Sequence, residues 1–416
     1  MKIGIFGNTN NYPLRLALGL RTLGHEVVLV VNRTEALHRP ESKYPQLAAG
    51  YPRWILDCSA LAEDEFIAAT PAIGPVLDFL AATSDALVLN DLGPSLHEFC
   101  ARPAIALLTG SDLTSYGSLS LPALRQSGWD PGYSRSPGAR LSVRRMEEFV
   151  ARQRAGIRAA AAVAAPLPGL VPEVDALLDE IGVARARRDF LYIANTDAAP
   201  TRPDKANPRL RVVNGARLNW KKPLPAGFVS LDHKGTDVLL EGFTRFIAAG
   251  GDADLVLFRK GLHVAETEAL ADALGITPRV QWRDEMTLDG FSGEMTNADV
   301  VCDQLGDAFP GMVAVDAMAL GLPVIANFRP DVFGGYFPEP LAAFQACTPD
   351  DVARHLTALS ASARTRIDAG RAARRFARTY LSPAAQARRC LAHFGGEAGA
   401  PTEAARVPSR ELAERH

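Results

Sequence analysis

Residues 298–326 read ADVVCDQLGDAFPGMVAVDAMALGLPVIA. This stretch predicts a buried strand, a glycine turn, a short helix and a second strand, because apolar runs of strand length flank a segment with helical spacing. Gly306 and Gly311 free the backbone in the turn, and Gly321 followed by Pro323 ends the helix. A helix that starts in such a turn directs its unpaired amides and positive end toward it, so the stretch predicts an anion site.

The alternation of strands and helices extends over the rest of the chain. In the first half, a strand at 2–6, a helix at 13–23 and a strand at 26–31 form one βαβ unit, and further strands are expected at 86–90, 104–108 and 159–165. In the second half, strands are expected at 210–213, 254–258 and 279–282, with helices at 237–248 and 264–274. The pattern indicates an α/β chain with two doubly wound, nucleotide-binding-type domains.

Composition sets the domain boundaries. A proline-rich stretch with almost no large apolar side chains, 195–208, is predicted to be a linker between domains at 1–194 and 209–380. A helix within 381–397 is expected to pack back on the N-terminal domain. The final residues, 398–416, are rich in Gly, Ala, Pro and Glu and are predicted to form a flexible tail.

Charge and cysteine usage exclude several classes of protein. The chain has 416 residues and a formal net charge of −2, which argues against a nucleic-acid binder that works through bulk positive charge. Its five cysteines are far apart and include no C-x-x-C pair, which favours reduced thiols over a disulfide framework or a zinc site. The amino terminus reads as a first strand rather than a signal peptide, and no apolar run is long enough to span a bilayer. We therefore expect a cytoplasmic protein.

Two cations are the main candidates for holding a diphosphate. Arg217 follows the first strand of the second domain, and Lys234 precedes its first helix within the sequence HKGTD. A guanidinium binds phosphate bidentately and an ammonium acts as a point charge, so both beside a helix start would stabilise a departing phosphate. The alternative is two solvated loop cations; their position at the carboxyl ends of parallel strands favours function.

The second domain resembles the retaining GT-B glycosyltransferases, specifically glycosyltransferase family four. The matching stretches are ARLNW at 216–220, KGTDVLLEGF at 234–243, VQWRDEM at 280–286 and residues 303–326. The resemblance implies a GT-B fold, that is, two Rossmann-like doubly wound domains with an interdomain cleft. It also implies that domain 209–380 binds the nucleotide sugar and domain 1–194 the acceptor.

The resemblance assigns roles to individual residues. It implies that Arg217 and Lys234 contact the donor diphosphate and that Asp316 accepts the ribose hydroxyls. It further implies backbone contacts with the base from Arg283, Asp284, Glu285 and Met286, and turn and helix amides offered to phosphate or sugar by Gly311, Met312 and Val313. The family typically has a glutamate where Asp316 stands and another eight residues earlier, where this chain has Ala308. The alternative for Asp316 is an acid that stabilises its helix through the helix dipole.

Candidates in the first domain are fewer. Many relatives place a histidine after the strand at 104–108, where this chain reads TGSDL, so Asp112 is the candidate for orienting sugar hydroxyls, with a helix cap as an equal alternative. Gly7 and Asn10, after the first strand, are candidates for contact with phosphate or acceptor, whereas Asn11 acting as a plain helix cap is the alternative. His97 after the preceding strand could enter the cleft, but a surface or capping role is favoured.

For two further patterns we favour an explanation that involves no bound metal or membrane. Asp252 and Asp254 have the D-x-D spacing of metal-dependent transferases of another fold, but they bridge a helix end and a strand, so no metal is assigned. Four arginines on one helical face could touch an anionic membrane surface, although a solvated charged face is favoured: Arg371, Arg374, Arg375 and Arg378.

The sequence thus predicts a retaining, metal-independent glycosyltransferase without an organic cofactor. Its expected partners are a nucleotide diphosphate sugar and a carbohydrate or lipid-linked acceptor, with peripheral membrane contact possible and no nucleic acid, in cell-surface polysaccharide or glycoconjugate assembly. A sugar-nucleotide epimerase of the same architecture and a non-catalytic nucleotide-binding relative are the alternatives. The base, the sugar and the acceptor are left open.

Overall fold

A computed structural model describes residues 1–126, 142–196, 207, 209–225 and 229–395. Most of the predicted linker, namely 197–206 and 208, and the whole predicted tail at 398–416 lie outside the described residues. The chain divides into two compact units. The first comprises Met1–Ile193 and the segment that begins at Pro383, and the second comprises Ala194–Ser382.

The first unit is built on a parallel sheet of seven strands. These are β1 (Lys2–Phe6), β2 (Glu26–Val31), β3 (Ile55–Asp57), β4 (Ala86–Leu89), β5 (Ala104–Leu107), β6 (Ala162–Ala164) and β7 (Arg188–Asp189). Their order in the sheet is β3-β2-β1-β4-β5-β6-β7, and each neighbouring pair is parallel. The central strands β4 and β5 are buried along their whole length, as expected for strands that helices cover on both faces.

Helices connect these strands. They are α1 (Tyr12–Thr22), α2 (Glu63–Ala68), α3 (Gly74–Thr83), α4 (His97–Cys100), α5 (Ser111–Thr114), α6 (Leu121–Gln126), α7 (Val143–Ala159) and α8 (Pro172–Ile181). One core cluster lies between the sheet and its helices and includes Phe6, Phe66 and Phe149, all fully buried.

The second unit repeats this architecture with six parallel strands. These are β8 (Leu210–Asn214), β9 (Ala253–Phe258), β10 (Val280–Arg283), β11 (Val300–Cys302), β12 (Val324–Ala326) and β13 (Phe344–Gln345), in the order β10-β9-β8-β11-β12-β13. Its helices are α9 (Thr236–Ala248), α10 (Val264–Ala273), α11 (Leu288–Thr296), α12 (Met312–Leu320), α13 (Pro330–Tyr336), α14 (Pro349–Ala361) and α15 (Ala363–Phe376). Phe243, Phe246 and Leu356 belong to its buried core.

Each sheet has a point where the order of strands reverses. In the first sheet it lies between β1 and β4, because β1 continues to β2 on one side while β4 continues to β5 on the other. In the second sheet the same reversal lies between β8 and β11. Loops diverge at the carboxyl ends of the strands there and leave a crevice, which is where open α/β sheets bind ligands.

The predicted strands and helices agree with the structure within a few residues, with one exception. The alanine-rich run at 159–165 was predicted to be strand throughout, but Ala159 is the last residue of α7 and only Ala162–Ala164 form β6. Alanine has high helix propensity and no β-branch, so the sequence alone places this boundary poorly.

Charged groups hold the last helix, α16 (Pro383–Ala392), on the first unit. Asp189 at the end of β7 accepts hydrogen bonds from Arg389 Nε at 2.7 Å and from His393 Nε2 at 2.5 Å. Burial alone would raise the pKa of Asp189, but these partners outweigh burial and hold the pKa well below its usual range.

We expect Asp189→Asn to destabilise the first unit by about 1–2 kcal/mol at neutral pH, because the charge-assisted bonds are lost. A depressed carboxylate pKa contributes stability above about pH 4, and this contribution disappears as the pH falls through the folded-state value. The melting temperatures of wild type and variant should therefore converge in acid. Asp368→Asn, which alters an exposed pair with Arg364, is the control, and a pH-independent difference would contradict this account.

Candidate functional site

The strongest candidate site lies at the strand reversal of the second sheet. The loop after β8 carries Arg217, and the loop after β11 carries residues 303–307. The starts of α9 and α12 face the same carboxyl edge, because each helix follows the loop of a parallel strand. Two basic side chains and two helix starts are therefore available at this edge.

Lys234 is half-buried and held in place. Its ammonium donates to Gln304 Oε1 at 2.6 Å and to the Leu231 carbonyl, which leaves one of its three donors for a ligand. Burial lowers the pKa of Lys234, although Asp232 and Asp303 oppose the shift, and the charge of Arg217 acts on the same ammonium. The two cations predicted to act together thus lie within electrostatic range of each other.

Burial also lowers the pKa of Arg217, and here Asp232 and Glu285 oppose the shift. A cation whose pKa is lowered by burial has lost more hydration than the surrounding carboxylates return. A bound anion would offset this loss of hydration and raise the pKa of the cation again. The two basic side chains at this strand reversal are therefore partly buried rather than fully solvated loop cations.

Close backbone contacts fix the loop around Lys234. The Lys234 amide donates to the Asn219 carbonyl at 2.7 Å, and its own carbonyl accepts from the Leu305 amide at 2.8 Å. Gly235 has a φ of +65°, and a Cβ there would lie 2.4 Å from the Gly306 nitrogen. Only glycine combines this left-handed conformation with so close an approach, so the loops after β8 and β11 are locked together at this point.

Asp303 caps the start of α12. Its Oδ2 accepts from the Ala314 amide at 3.2 Å, and the Gly311 amide also donates to this carboxylate. Burial raises the pKa of Asp303, while Lys234 and the surrounding amides oppose the shift. In this structure the Gly311 amide is thus bonded to a protein carboxylate, and its predicted contact with phosphate or sugar stays a prediction.

The next two amides of α12 remain available. Within the described part of the chain, the backbone N–H groups of Met312 and Val313 donate to no protein acceptor. The first amides of a helix have no partner inside the helix, and they carry its positive end. These two amides lie at the carboxyl edge of the sheet, and the anion site predicted at this helix start stays a prediction.

Asp316 lies one turn inside α12 and is buried. One of its oxygens accepts the Asn195 amide at 2.5 Å, within the second unit. It therefore anchors the backbone at residue 195, and any ribose contact would have to use its remaining acceptor capacity. Asp307, next to Ala308, pairs with Lys222 at 3.6 Å.

The side chains of 283–285 are engaged with the protein. Arg283 Nε donates to Glu294 at 3.0 Å, while Asp284 and Glu285 pair with Arg259 and Lys260. Met286 is exposed. These contacts direct the side chains to α11 and to the loop after β9, and the expectation that the backbone of this segment faces a base stays a prediction.

Three residues at this site were missed as candidates: His233, Asp303 and Gln304. Gln304 is buried and links Lys234 to the Phe309 carbonyl. His233 donates from Nε2 to the Trp220 carbonyl at 2.8 Å. Their position in the sequence could have identified Asp303 and Gln304, because both directly follow a buried strand. Polar groups at the carboxyl end of a parallel strand face the edge of the sheet where ligands bind.

The strand reversal of the first sheet is also polar. Gly7 has a φ of +89°, and a Cβ there would lie 2.6 Å from the Asn90 carbonyl oxygen. Asn10 also has positive φ, and its amide donates to His38 Nδ1 at 3.0 Å. Asn11 occupies the N-cap position of α1 but makes no side-chain cap, and Asn8 caps instead by accepting from the Leu14 amide.

Asp112 is buried and organises the loop after β5. Its carboxylate accepts from the amides of Thr109, Gly110 and Leu113 and from the Asn90 side chain. Burial raises the pKa of Asp112 to about 6 despite these donors. Both oxygens accept bonds from their own loop, and Asn90 of the loop after β4 adds another, so Asp112 holds these two loops together, while Gly110 is the N-cap of α5.

A buried ion-pair network adjoins this loop and was not foreseen. Arg33 donates bidentately to Asp91, at 2.8 and 2.7 Å, and also contacts Glu63 and Tyr116. Asp91 has a φ of +60°, a conformation that is costly for a residue other than glycine. His97 lies apart from it and contacts the Arg102 carbonyl.

The remaining sequence features are structural. Asp252 pairs with Arg279 at 2.6 Å and with Arg209 at 3.2 Å. All five cysteines are unpaired, as predicted, and only Cys347 is exposed. In the described ranges, no helix has the length and apolarity needed to cross a bilayer.

Comparison with known proteins identifies the fold. No protein-family model and no curated protein matches the chain. Among solved structures, HepE from Anabaena in complex with UDP-glucose is 14% identical, with 95% of this chain and 99% of that chain covered and a TM-score of 0.58. Sucrose-phosphate synthase from Thermosynechococcus elongatus is 13% identical, with 95% and 98% covered and a TM-score of 0.55.

A third similar structure comes from another enzyme class. A Listeria monocytogenes protein assigned as a UDP-N-acetylglucosamine 2-epimerase is 14% identical, with 97% of this chain and 99% of that chain covered and a TM-score of 0.50. At these identities the likeness concerns the fold. The chain has the predicted GT-B fold, with two parallel-sheet α/β domains.

Proposed function

We propose that this protein is a retaining glycosyltransferase that uses a nucleotide diphosphate sugar and resembles glycosyltransferase family four. The observation that carries the proposal is that two partly buried cations within electrostatic range of each other, Arg217 and Lys234, share the carboxyl edge of the second sheet with the open amides of Met312 and Val313. HepE, which shares the fold, was solved with UDP-glucose, which supports a nucleotide sugar as the ligand.

In the proposed reaction the two cations and the helix amides bind the diphosphate. As the bond between the anomeric carbon and the phosphate oxygen breaks, negative charge grows on the leaving diphosphate, and fixed donors stabilise that charge more than they stabilise the ground state. The acceptor hydroxyl attacks the same face of the sugar and transfers its proton to a phosphate oxygen of the leaving group. We propose no metal or organic cofactor for this step.

The other predicted residues take supporting roles in the proposal. The backbone of 283–286 lies against the base, and Asp316 contributes its remaining acceptor capacity to the ribose. On the first unit, Gly7 and Asn10 contact the acceptor, a carbohydrate or a lipid-linked glycan. Asp112 is a positioning residue, because its hydrogen bonds shape the loop after β5. We place the reaction in polysaccharide or glycoconjugate assembly in the cytoplasm.

A thermal-shift panel with UDP, GDP, ADP and dTDP sugars tests the donor site. We expect one base to raise the melting temperature, because a ligand at one hundred times its Kd stabilises the folded state by about 2.7 kcal/mol. Arg217→Ala should abolish the shift, and Arg144→Ala, at an exposed i,i+4 pair of the first unit, should preserve it. Absence of a shift with every nucleotide would contradict the donor site.

A sugar-nucleotide epimerase is the second candidate, because an epimerase shares the architecture. It would use the same diphosphate contacts, so binding alone does not separate the two. Incubation with the stabilising nucleotide sugar and no acceptor does separate them. An epimerase converts the donor sugar, whereas a transferase leaves it intact or hydrolyses it slowly. Binding with neither conversion nor transfer to any acceptor would favour the non-catalytic relative.

A further inference from the structure

A basic surface lies on the second unit, on α15 and the turn of π-helix that follows it at Ala377–Leu381. Residues 363–381 contain six arginines and one aspartate, a net charge of +5 in a chain whose total is −2. Such a concentration on one helix and its extension creates a local positive potential in a chain whose overall charge is slightly negative.

Four of these arginines form one face, which we call the arginine face: Arg371, Arg374, Arg375 and Arg378. Their i, i+3, i+4, i+7 spacing aligns them over about 10 Å of helix. The Arg371 side chain is 70% exposed and reaches Asp368 only at 3.8 Å. Within the described ranges, the guanidinium groups of the other three make no hydrogen bond or ion pair.

The remaining two arginines of the segment have partners. Arg364 pairs with Asp368 at 2.7 Å, and Arg366 donates to the Leu359 carbonyl at 2.7 Å. Both arginines beside the arginine face are thus bonded to protein acceptors. On the face itself, and within the described ranges, a carboxylate lies within 4 Å only of Arg371. Three unpartnered guanidinium groups side by side repel one another, so an external anionic surface is the complement this face lacks.

An apolar groove runs beside the arginine face. Arg371 and Arg374 line it together with Leu320, Leu322 and Ile367. Ile367 lies one helical turn before Arg371 and is 38% exposed, which is unusual for an isoleucine. Gly370 allows the groove to form against α12, because a Cβ there would lie 2.0 Å from the Gly321 carbonyl oxygen.

From this arrangement we propose that the arginine face and its groove dock on an anionic phospholipid surface. Phosphate headgroups would pair with the guanidinium groups, and acyl chains or glycerol backbones would cover Ile367 and the groove. The apolar groove favours lipid over nucleic acid, which has no aliphatic part to place there. The proposal concerns a surface separate from the donor site and does not depend on the proposed function.

Vesicle sedimentation of the full chain tests it. We expect binding to equimolar phosphatidylcholine–phosphatidylglycerol vesicles, none to phosphatidylcholine alone, and release by high salt. The double variant Arg375→Gln/Arg378→Gln should lower the partition coefficient about 30-fold, which corresponds to about 1 kcal/mol for each arginine removed. Ile367→Asn should weaken binding without changing the charge.

The control carries the same change of charge elsewhere on the unit. Arg245→Gln/Arg354→Gln removes two exposed arginines that have carboxylate partners, Asp350 and Asp351, and should bind like wild type. Equal sedimentation with neutral and mixed vesicles, or wild-type binding by the arginine-face variant, would overturn the proposal. So would an equal loss in both double variants, since that would reflect net charge alone.

Discussion

Lys234→Ala should lower kcat/KM for the nucleotide sugar by about 10²- to 10³-fold, the effect of removing one fixed donor from a developing oxyanion. Its ammonium retains one donor for the ligand, and the buried amide of Gln304 holds it in place. The larger part of the loss should fall on kcat, because charge grows on the diphosphate as the bond breaks. Initial rates of transfer at several donor concentrations separate the loss in kcat from the change in KM.

Two controls separate chemistry from folding. Lys234→Ala leaves Gln304 Oε1 without its ammonium partner, which should cost about 1–3 kcal/mol of stability, so the melting temperature of the variant must be recorded as well. Lys221→Ala removes an exposed lysine of the loop after β8 that pairs with Glu266, and it should retain wild-type turnover. Turnover at the wild-type rate by folded Lys234→Ala would refute the assignment of the diphosphate site.

Gly156→Ala should destabilise the first unit by about 3 kcal/mol, although alanine is the better helix former. Gly156 lies within α7, and a Cβ there would lie 1.8 Å from the Pro94 carbonyl oxygen. Real Cβ atoms do not approach so closely, so α7 must move away from the loop after β4. The same helix carries Gln153, which bonds to the carbonyls of Asp91 and Asp112, and these loops should loosen together.

Gly293→Ala is the matched control for this substitution. Gly293 lies inside α11, is exposed, and a Cβ there would meet nothing within 4 Å. Alanine should stabilise that helix by up to about 1 kcal/mol, since it loses less backbone entropy on folding than glycine does. Calorimetric melting of both variants measures the contrast, and equal melting temperatures would show that the α7 contact is not tight.

Local sequence was informative wherever one short segment decides the structure. The stretch at 298–326 folds into a strand, a glycine turn, a helix ended by Gly321 and a second strand, because apolar runs and glycines act over a few residues. Lys234 and Arg217 could be selected for the same reason, since each directly flanks a strand or a helix start. The boundary at Ala159 was wrong because an apolar alanine run was taken as strand, although alanine has high helix propensity and Ala159 ends α7.

Contacts between distant segments could not be read in this way. Asp303 turns out to cap α12, and Asp316 binds the amide of Asn195, 121 residues away. Asp112 accepts hydrogen bonds from its own loop and from the Asn90 side chain, whereas the motif GSD left open a sugar contact or a cap. In each case the choice of partner depends on which donors the fold brings within hydrogen-bonding distance.

The sequence by itself determined the α/β class, the parallel strands, and the cationic and glycine positions at their carboxyl ends, because periodicity, helix stops and turns act locally. The tertiary structure decided which candidate groups are buried and which protein groups they bond to. Burial lowers the pKa of Arg217 and Lys234 although nearby carboxylates oppose the shift, and Arg283, Asp112 and the Gly311 amide are bonded to protein partners. Desolvation and pairing depend on every segment that packs around a group, so they appear only when the chain is folded.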